Sequence, residues 1–161
     1  MEPEVDSQQV SFDRFELHKP LRDAIAKMGF EFCTPIQAES LVHTLAGHDV
    51  TGRAQTGTGK TAAFLITIIN DLLSNPIEEE RFLAEPRALI VAPTRELAIQ
   101  IASDASQLTE FSGLHTVTLV GGEDYQKQNK ALAQGPVDLV VATPGRLIDF
   151  VQNDNLYLGM V

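Results

Sequence analysis

The stretch Ala54-Gln55-Thr56-Gly57-Thr58-Gly59-Lys60-Thr61 decides how the rest of the chain is read. It follows a short expected β run at 50–54 and opens a helical pattern over 61–73, so it joins a strand to a helix. Glycines at 57 and 59 let backbone N–H groups turn toward phosphate oxygens and approach them closely. The helix that begins near Lys60 adds unpaired N–H groups and the positive end of its dipole. Lys60 is the candidate partner of β- and γ-phosphates, and the Thr61 hydroxyl the candidate ligand of Mg2+. The strict form of such a loop has glycine where Ala54 stands, so this is a variant. A glycine-rich turn that merely caps a helix is the competing reading.

Outward from the loop, short β runs alternate with helices. The runs are 50–54, 88–92, 116–120 and 137–142, and the helical stretches between them are 61–73, 96–108 and 125–133. A last helix starts near Pro144. Runs such as Ala88-Leu89-Ile90-Val91-Ala92 are apolar on both faces, as strands covered by two helix layers must be. The expected fold is therefore α/β, a parallel sheet flanked by helices. Upstream, Leu17, Leu21, Ala24, Ile25 and Met28 share a helical face that stops at Gly29. A second helix follows Thr34-Pro35 and closes at Gly47. Residues 1–11 are polar and acidic and are expected to form a loose tail, and 74–85 a solvated loop.

With 161 residues the chain is long enough for one core. Its formal net charge of -10 excludes gripping nucleic acid or an anionic membrane by bulk charge, so any such grip needs a local patch. The single cysteine, Cys33, can form no internal disulfide, which points to a reducing, cytoplasmic compartment. No run is long enough to span a membrane, and the acidic start is unlike a signal peptide. The four histidines show no metal-ligand spacing.

Further motifs narrow the loop's meaning. Phe12, Gly29-Phe30 and Thr34-Pro35-Ile36-Gln37 precede it; Pro93-Thr94-Arg95-Glu96, Gly121-Gly122 and Thr143-Pro144-Gly145-Arg146 follow. In this order and spacing the set closely resembles the DEAD-box RNA helicases, from residue 12 onward. It matches the Q motif and motifs I, Ia, GG and Ib of their first RecA-like domain. Phe15-Glu16-Leu17-His18, Leu45-Ala46-Gly47 and Arg146-Leu147-Ile148-Asp149 look most like one bacterial branch of that family.

The resemblance implies ATP and Mg2+ as ligands, held by residues 54–61, with Gln37 reading the adenine edge and Phe12 and Phe30 near the base. The Gln37 amide, with one acceptor and two donors, suits the N6/N7 edge; a surface glutamine on a helix is the alternative. Phe12 and Phe30 could instead be core anchors. The resemblance also implies that Pro93, Thr94, Arg95, Gly121, Gly122, Thr143, Pro144, Gly145 and Arg146 hold the sugar–phosphate backbone of RNA without reading sequence. Thr94 and Thr143 as helix caps, with arginines in local ion pairs, is the plainer reading, and the two are compatible. Glu96 is expected to be a dipole partner in a first helical turn.

None of the four β runs is followed by the acidic residue that a P-loop ATPase uses on Mg2+; Asp138 instead precedes its hydrophobic stretch. The apolar run at 156–161 looks like the approach to another buried strand. Residues 12–161 are accordingly expected to be part of a first RecA-like domain, stopping before its acidic box. A second domain would follow in a parent helicase, with an RNA-degrading complex as the partner docked there. The competing expectation is a nucleotide- and RNA-binding module without turnover.

Overall fold

The computed structural model describes residues 9–55, 57 and 59–161. Three parallel strands, β1 (Ala88–Val91), β2 (Thr116–Leu119) and β3 (Leu139–Ala142), form a sheet in the order β1-β3-β2. Ile90 lies opposite Val141 across one ladder, and Thr118 opposite the same residue across the other. Six helices accompany the sheet among the described residues: α1 (Lys19–Lys27), α2 (Pro35–Thr44), α3 (Lys60–Ser74), α4 (Arg95–Leu108), α5 (Tyr125–Leu132) and α6 (Pro144–Gln152).

The period-two alternation of β3 sorts the core. Leu139 and Val141 face the side built by Leu21 and Ile25 of α1, Leu41 of α2, Leu65, Ile66 and Ile69 of α3, and Ile101 and Leu108 of α4. Val140 and Ala142 face the other side, with Leu132 of α5, Phe150 of α6 and the buried Leu156. Every residue of β3 is buried, so the strand is sandwiched as an apolar run predicts. Fully burying a side chain such as Phe150 or Leu65 contributes about 1.5–3 kcal/mol each.

Helix boundaries follow local chemistry. Pro20 occupies the first turn of α1, and Pro35 and Pro144 open α2 and α6, where a missing N–H costs nothing. Thr94 caps α4 by accepting the Leu97 N–H, and Asp124 caps α5 by accepting from Gln126 and Lys127. Glu96 stands in the first turn of α4, as expected of a dipole partner.

Two expectations need correction. Residues 50–54 form no strand: they pair with no other strand among the described residues, and Val50 is largely exposed. A β run is a strand only when a neighbour supplies the ladder, and the sheet here comprises β1, β3 and β2 alone. Residues 156–161, the expected approach to a further strand, lie against the fold through buried Leu156, through Leu158 and through a bond from the Tyr157 N–H to the Ala84 carbonyl. The end of the expected loose tail is fastened. Val10 accepts the Cys33 N–H at 2.7 Å, and Ser11 bridges Phe32 in antiparallel fashion. Residues 1–8 of that tail lie outside the described residues.

Asp138, at the amino end of β3, holds this end of the sheet. Its side chain is 8% exposed and takes Arg81 at 2.7 Å and Arg87 at 3.8 Å on Oδ1, while Oδ2 accepts the His115 N–H at 2.8 Å. Removing it leaves two partly buried guanidinium groups without their counter-charge. Asp138→Ala is therefore expected to lower the unfolding free energy by about 3 kcal/mol, read from urea denaturation. An unchanged midpoint and slope would show that the cluster holds nothing.

Candidate functional site

The glycine-rich loop meets α2 through one side chain. Gln37 is 4% exposed, which removes the reading of it as a surface glutamine. Its Oε1 accepts the Thr34 N–H at 2.9 Å, completing the start of α2, and its Nε2 donates to the Gly59 carbonyl at 3.2 Å. The amide thus couples the Thr34-Pro35 cap to the loop that opens α3. Gly59 has φ +86°, and a Cβ there would lie 2.3 Å from Gln37 Nε2 and 3.0 Å from Thr34 Oγ1. Only glycine fits this approach. Among the described residues the buried Thr34 Oγ1 has only the capping-box approach of the Gln37 N–H and no full hydrogen bond. An orphaned hydroxyl beside a backbone cradle is the kind of group a bound polar ligand satisfies.

The Lys60 ammonium donates across the loop to the Ala54 carbonyl. It is held at the centre of the turn, where an incoming phosphate would take the carbonyl's place. Thr61, the candidate Mg2+ ligand, is the second residue of α3 and is half-buried. Gly57 has φ +82° and is exposed, as is Gln55. Thr56 and Thr58 lie outside the described residues. These features fit a nucleotide phosphate group.

The two aromatic candidates separate in character. Phe12 is 5% exposed and packs into the core formed by α1–α4, so it is a core anchor as its alternative reading held. Phe30 is 39% exposed and is not core. Both line a cleft of about 380 Å³ with Arg22, Gly29 and Glu31. Gln37 is not among the residues lining that cleft.

Because the strands are parallel, the segments after β1, β2 and β3 emerge at one edge of the sheet. Those segments carry Pro93-Thr94-Arg95, Gly121-Gly122 and Thr143-Pro144-Gly145-Arg146. This is the edge where ligands of open α/β sheets bind. Glu123 joins the groups. Its carboxylate takes Arg95 Nη2 at 3.4 Å, and its backbone carbonyl accepts from Arg146 Nη1 at 3.2 Å. Gly122 has φ +77°, and a Cβ there would lie 2.8 Å from Arg95 Nη1, so the glycine makes room for the arginine. The exposed Arg95–Glu123 pair is weak and easily exchanged for another anion. Thr94 spends its hydroxyl on the α4 cap, whereas the Thr143 side chain caps nothing.

Sequence reasoning passed over Glu123, Tyr125 and Gln128, which surround Arg146. A signal existed for Gln128. It falls on the same helical stripe as Tyr125, Ala131 and Leu132, a polar residue where periodicity asks for an apolar one. Nothing comparable surrounds the other groups left unassigned. Burial pushes the Cys33 thiol up, away from nucleophilic use. Among the described residues no cluster of His, Cys, Asp or Glu could hold a metal, and no helix is long and apolar enough to cross a membrane.

Comparison with known proteins agrees with this layout. Residues 34–160 match the model of the DEAD/DEAH box helicase family. An "ATP-dependent RNA helicase RhlB" of Pseudomonas putida is 56% identical over 150 residues, covering 93% of this chain and 38% of the relative. Another of that name, from Pseudomonas syringae pv. tomato, is 53% identical over 161 residues, covering all of this chain and 40% of its own. The chain thus spans about two fifths of these relatives' length, and they supply the bacterial branch that the short runs around Leu17, Ala46 and Leu147 resemble. The crystal structure of a DEAD box protein from the hyperthermophile Methanococcus jannaschii superimposes with a TM-score of 0.81 at 34% identity, covering 94% of this chain and 39% of that one.

The Gly59 contact makes a direct prediction. Gly59→Ala must leave its left-handed backbone or displace the Gln37 amide, and is expected to destabilise the chain by about 1 kcal/mol or more. Thermal unfolding followed by circular dichroism measures this. An unaltered melting temperature would mean the loop yields freely and the coupling to α2 is slack.

Proposed function

This chain belongs to the DEAD/DEAH box helicase family, and on that premise we propose that it is the ATP- and RNA-binding front part of an ATP-dependent RNA helicase. The observation that carries this reading is the gathering of Arg95, Gly122 and Arg146 at the carboxyl edge of the sheet, all within reach of Glu123. The edge sets these two arginines beside Glu96, Glu123 and Asp124 in a chain whose net charge is -10, so RNA is held by individual donors and not by bulk charge. Arginines, strand-end loops and helix N-termini there bind phosphate oxygens and carry no base readout. Affinity for RNA is modest and falls with salt.

In this reading residues 54–61 hold the phosphates of ATP, Lys60 leaves the Ala54 carbonyl for the β- and γ-oxygens, and Thr61 places its hydroxyl on Mg2+. The metal would neutralise charge developing on the phosphates. Gln37 turns its amide to the adenine edge, giving up a bond to Gly59 or to Thr34, so base recognition and loop conformation change together. Phe30, exposed on its cleft, is the better placed of the two aromatics to cover the base. In the whole protein, ATP and RNA would draw a second RecA-like domain against this one and bend one strand until a short duplex parts. That domain would also carry the docking surface for an RNA-degrading complex, and the site of action would be the cytoplasm.

The 161 residues themselves support a narrower activity. The residues following β1, β2 and β3 are Ala92, Val120 and Thr143, none of them the acid that would hold Mg2+ opposite Thr61. The chain therefore binds without turning over. A fluorescent ATP analogue is expected to bind it, to be lost on Lys60→Ala, and to compete less selectively with GTP after Gln37→Ala. Equal competition by ATP and GTP before and after the Gln37 change would remove that residue from the site. Steady, RNA-stimulated hydrolysis that disappears with Lys60→Ala would make the chain an ATPase in its own right.

A further inference from the structure

Gln128, on α5, is 5% exposed, and a buried amide must find partners at both ends. Its Nε2 donates to the Val120 carbonyl at 2.9 Å, immediately before Gly121-Gly122. Its Oε1 accepts from Arg146 Nη1 at 3.3 Å, in the first turn of α6 just after β3. The amide therefore spans two of the three segments that make up the proposed RNA edge. The same Nη1 also meets the Glu123 carbonyl, and the Tyr125 ring lies 5.5 Å from the guanidinium carbon. Tyr125 is itself fixed. It stacks on the fully buried Phe150 with ring centroids 4.2 Å apart, and its hydroxyl accepts from Asn155 at 2.7 Å. Arg146 is thus held at one nitrogen by Gln128 and the Glu123 carbonyl, with its guanidinium over the packed Tyr125 ring. Among the described residues its Nε and Nη2 have no hydrogen-bond partner, which leaves those donors for a ligand.

We propose that Gln128 is a positioning residue for RNA: it holds Arg146 in its binding geometry and keys that arginine to the glycine pair after β2. An arginine free to rotate loses side-chain entropy when it captures a phosphate, and one already held loses little. The inference rests on the RNA reading given above. Its rival is that Gln128 only satisfies the Val120 carbonyl and stabilises the fold. The two differ in whether the effect passes through Arg146.

The test titrates a fluorescein-labelled oligouridine with the 161-residue chain at several salt concentrations, reading anisotropy. Gln128→Met is expected to weaken binding roughly five-fold, the cost of ordering one arginine side chain on binding. It should also flatten the dependence of log affinity on log salt by up to about 0.7, the share of one single-stranded phosphate. In an Arg146→Ala background the same change should add nothing. Were Gln128→Met to lose its fold, Gln128→Asn, which falls one methylene short of Arg146, carries the same expectation. An equal loss with and without Arg146, or unchanged affinity and salt slope, would overturn the proposal while leaving RNA binding by the unaltered chain intact. No oligouridine binding by the unaltered chain would sink the RNA reading, and the role of Gln128 with it.

Discussion

A strand with no exposed face constrains everything around it. β3 is buried at all four positions, so helices must cover both sides of the sheet and a strand must flank each edge of β3. Its neighbours are both parallel to it, which puts the loops after all three strands at one edge and the residues before β3 at the other. Burial of Leu139 and Val141 toward α1–α4, and of Val140 and Ala142 toward α5 and α6, fixes the register. A slip by one residue would exchange those faces. The convergence of Thr94, Gly122 and Arg146 is a consequence of that register.

The two ends of β3 then do different work. At the amino end, Asp138 collects Arg81, Arg87 and the His115 N–H in a largely dry cluster that ties the 74–85 loop to the sheet. At the carboxyl end the polar contacts are longer and wetter. The Arg95–Glu123 pair spans 3.4 Å with both side chains nearly half exposed. Contacts of that kind contribute little to stability and can be exchanged for a ligand's oxygens. The glycine-rich loop follows the same logic from another direction, since Gln37 and Lys60 both bond to backbone groups that a nucleotide could replace or displace.

Much of this was legible in the residues. Proline and glycine punctuation located α1 and α2, the continuous apolar runs located β1–β3, and Gly57, Gly59 and Lys60 stood out before any coordinates. What escaped shares one cause, dependence on a partner distant in sequence. Residues 50–54 have strand composition, but composition cannot provide a ladder, and the described sheet gives them none. Phe12 and Phe30 look alike as aromatics before a cap, yet tertiary packing buries one and leaves the other open. Gln37 could not be told from a surface glutamine by its own residue type, and its burial against Gly59 depends on the distant loop. Gln128 and Glu123 acquire meaning only when β2 and β3 lie side by side.

The order of strands also has a temporal side. β1 and β2 do not pair with each other; each pairs with β3, which is the last of the three along the chain. A growing polypeptide can build α1 to α5 one by one, but it can form no sheet hydrogen bond until residues 139–142 have left the ribosome. Until then two short apolar strands wait with open edges, the condition in which strands find wrong partners. The central position of β3 thus makes it the strand that joins β1 to β2, so these three strands pair in a single event and not by accretion.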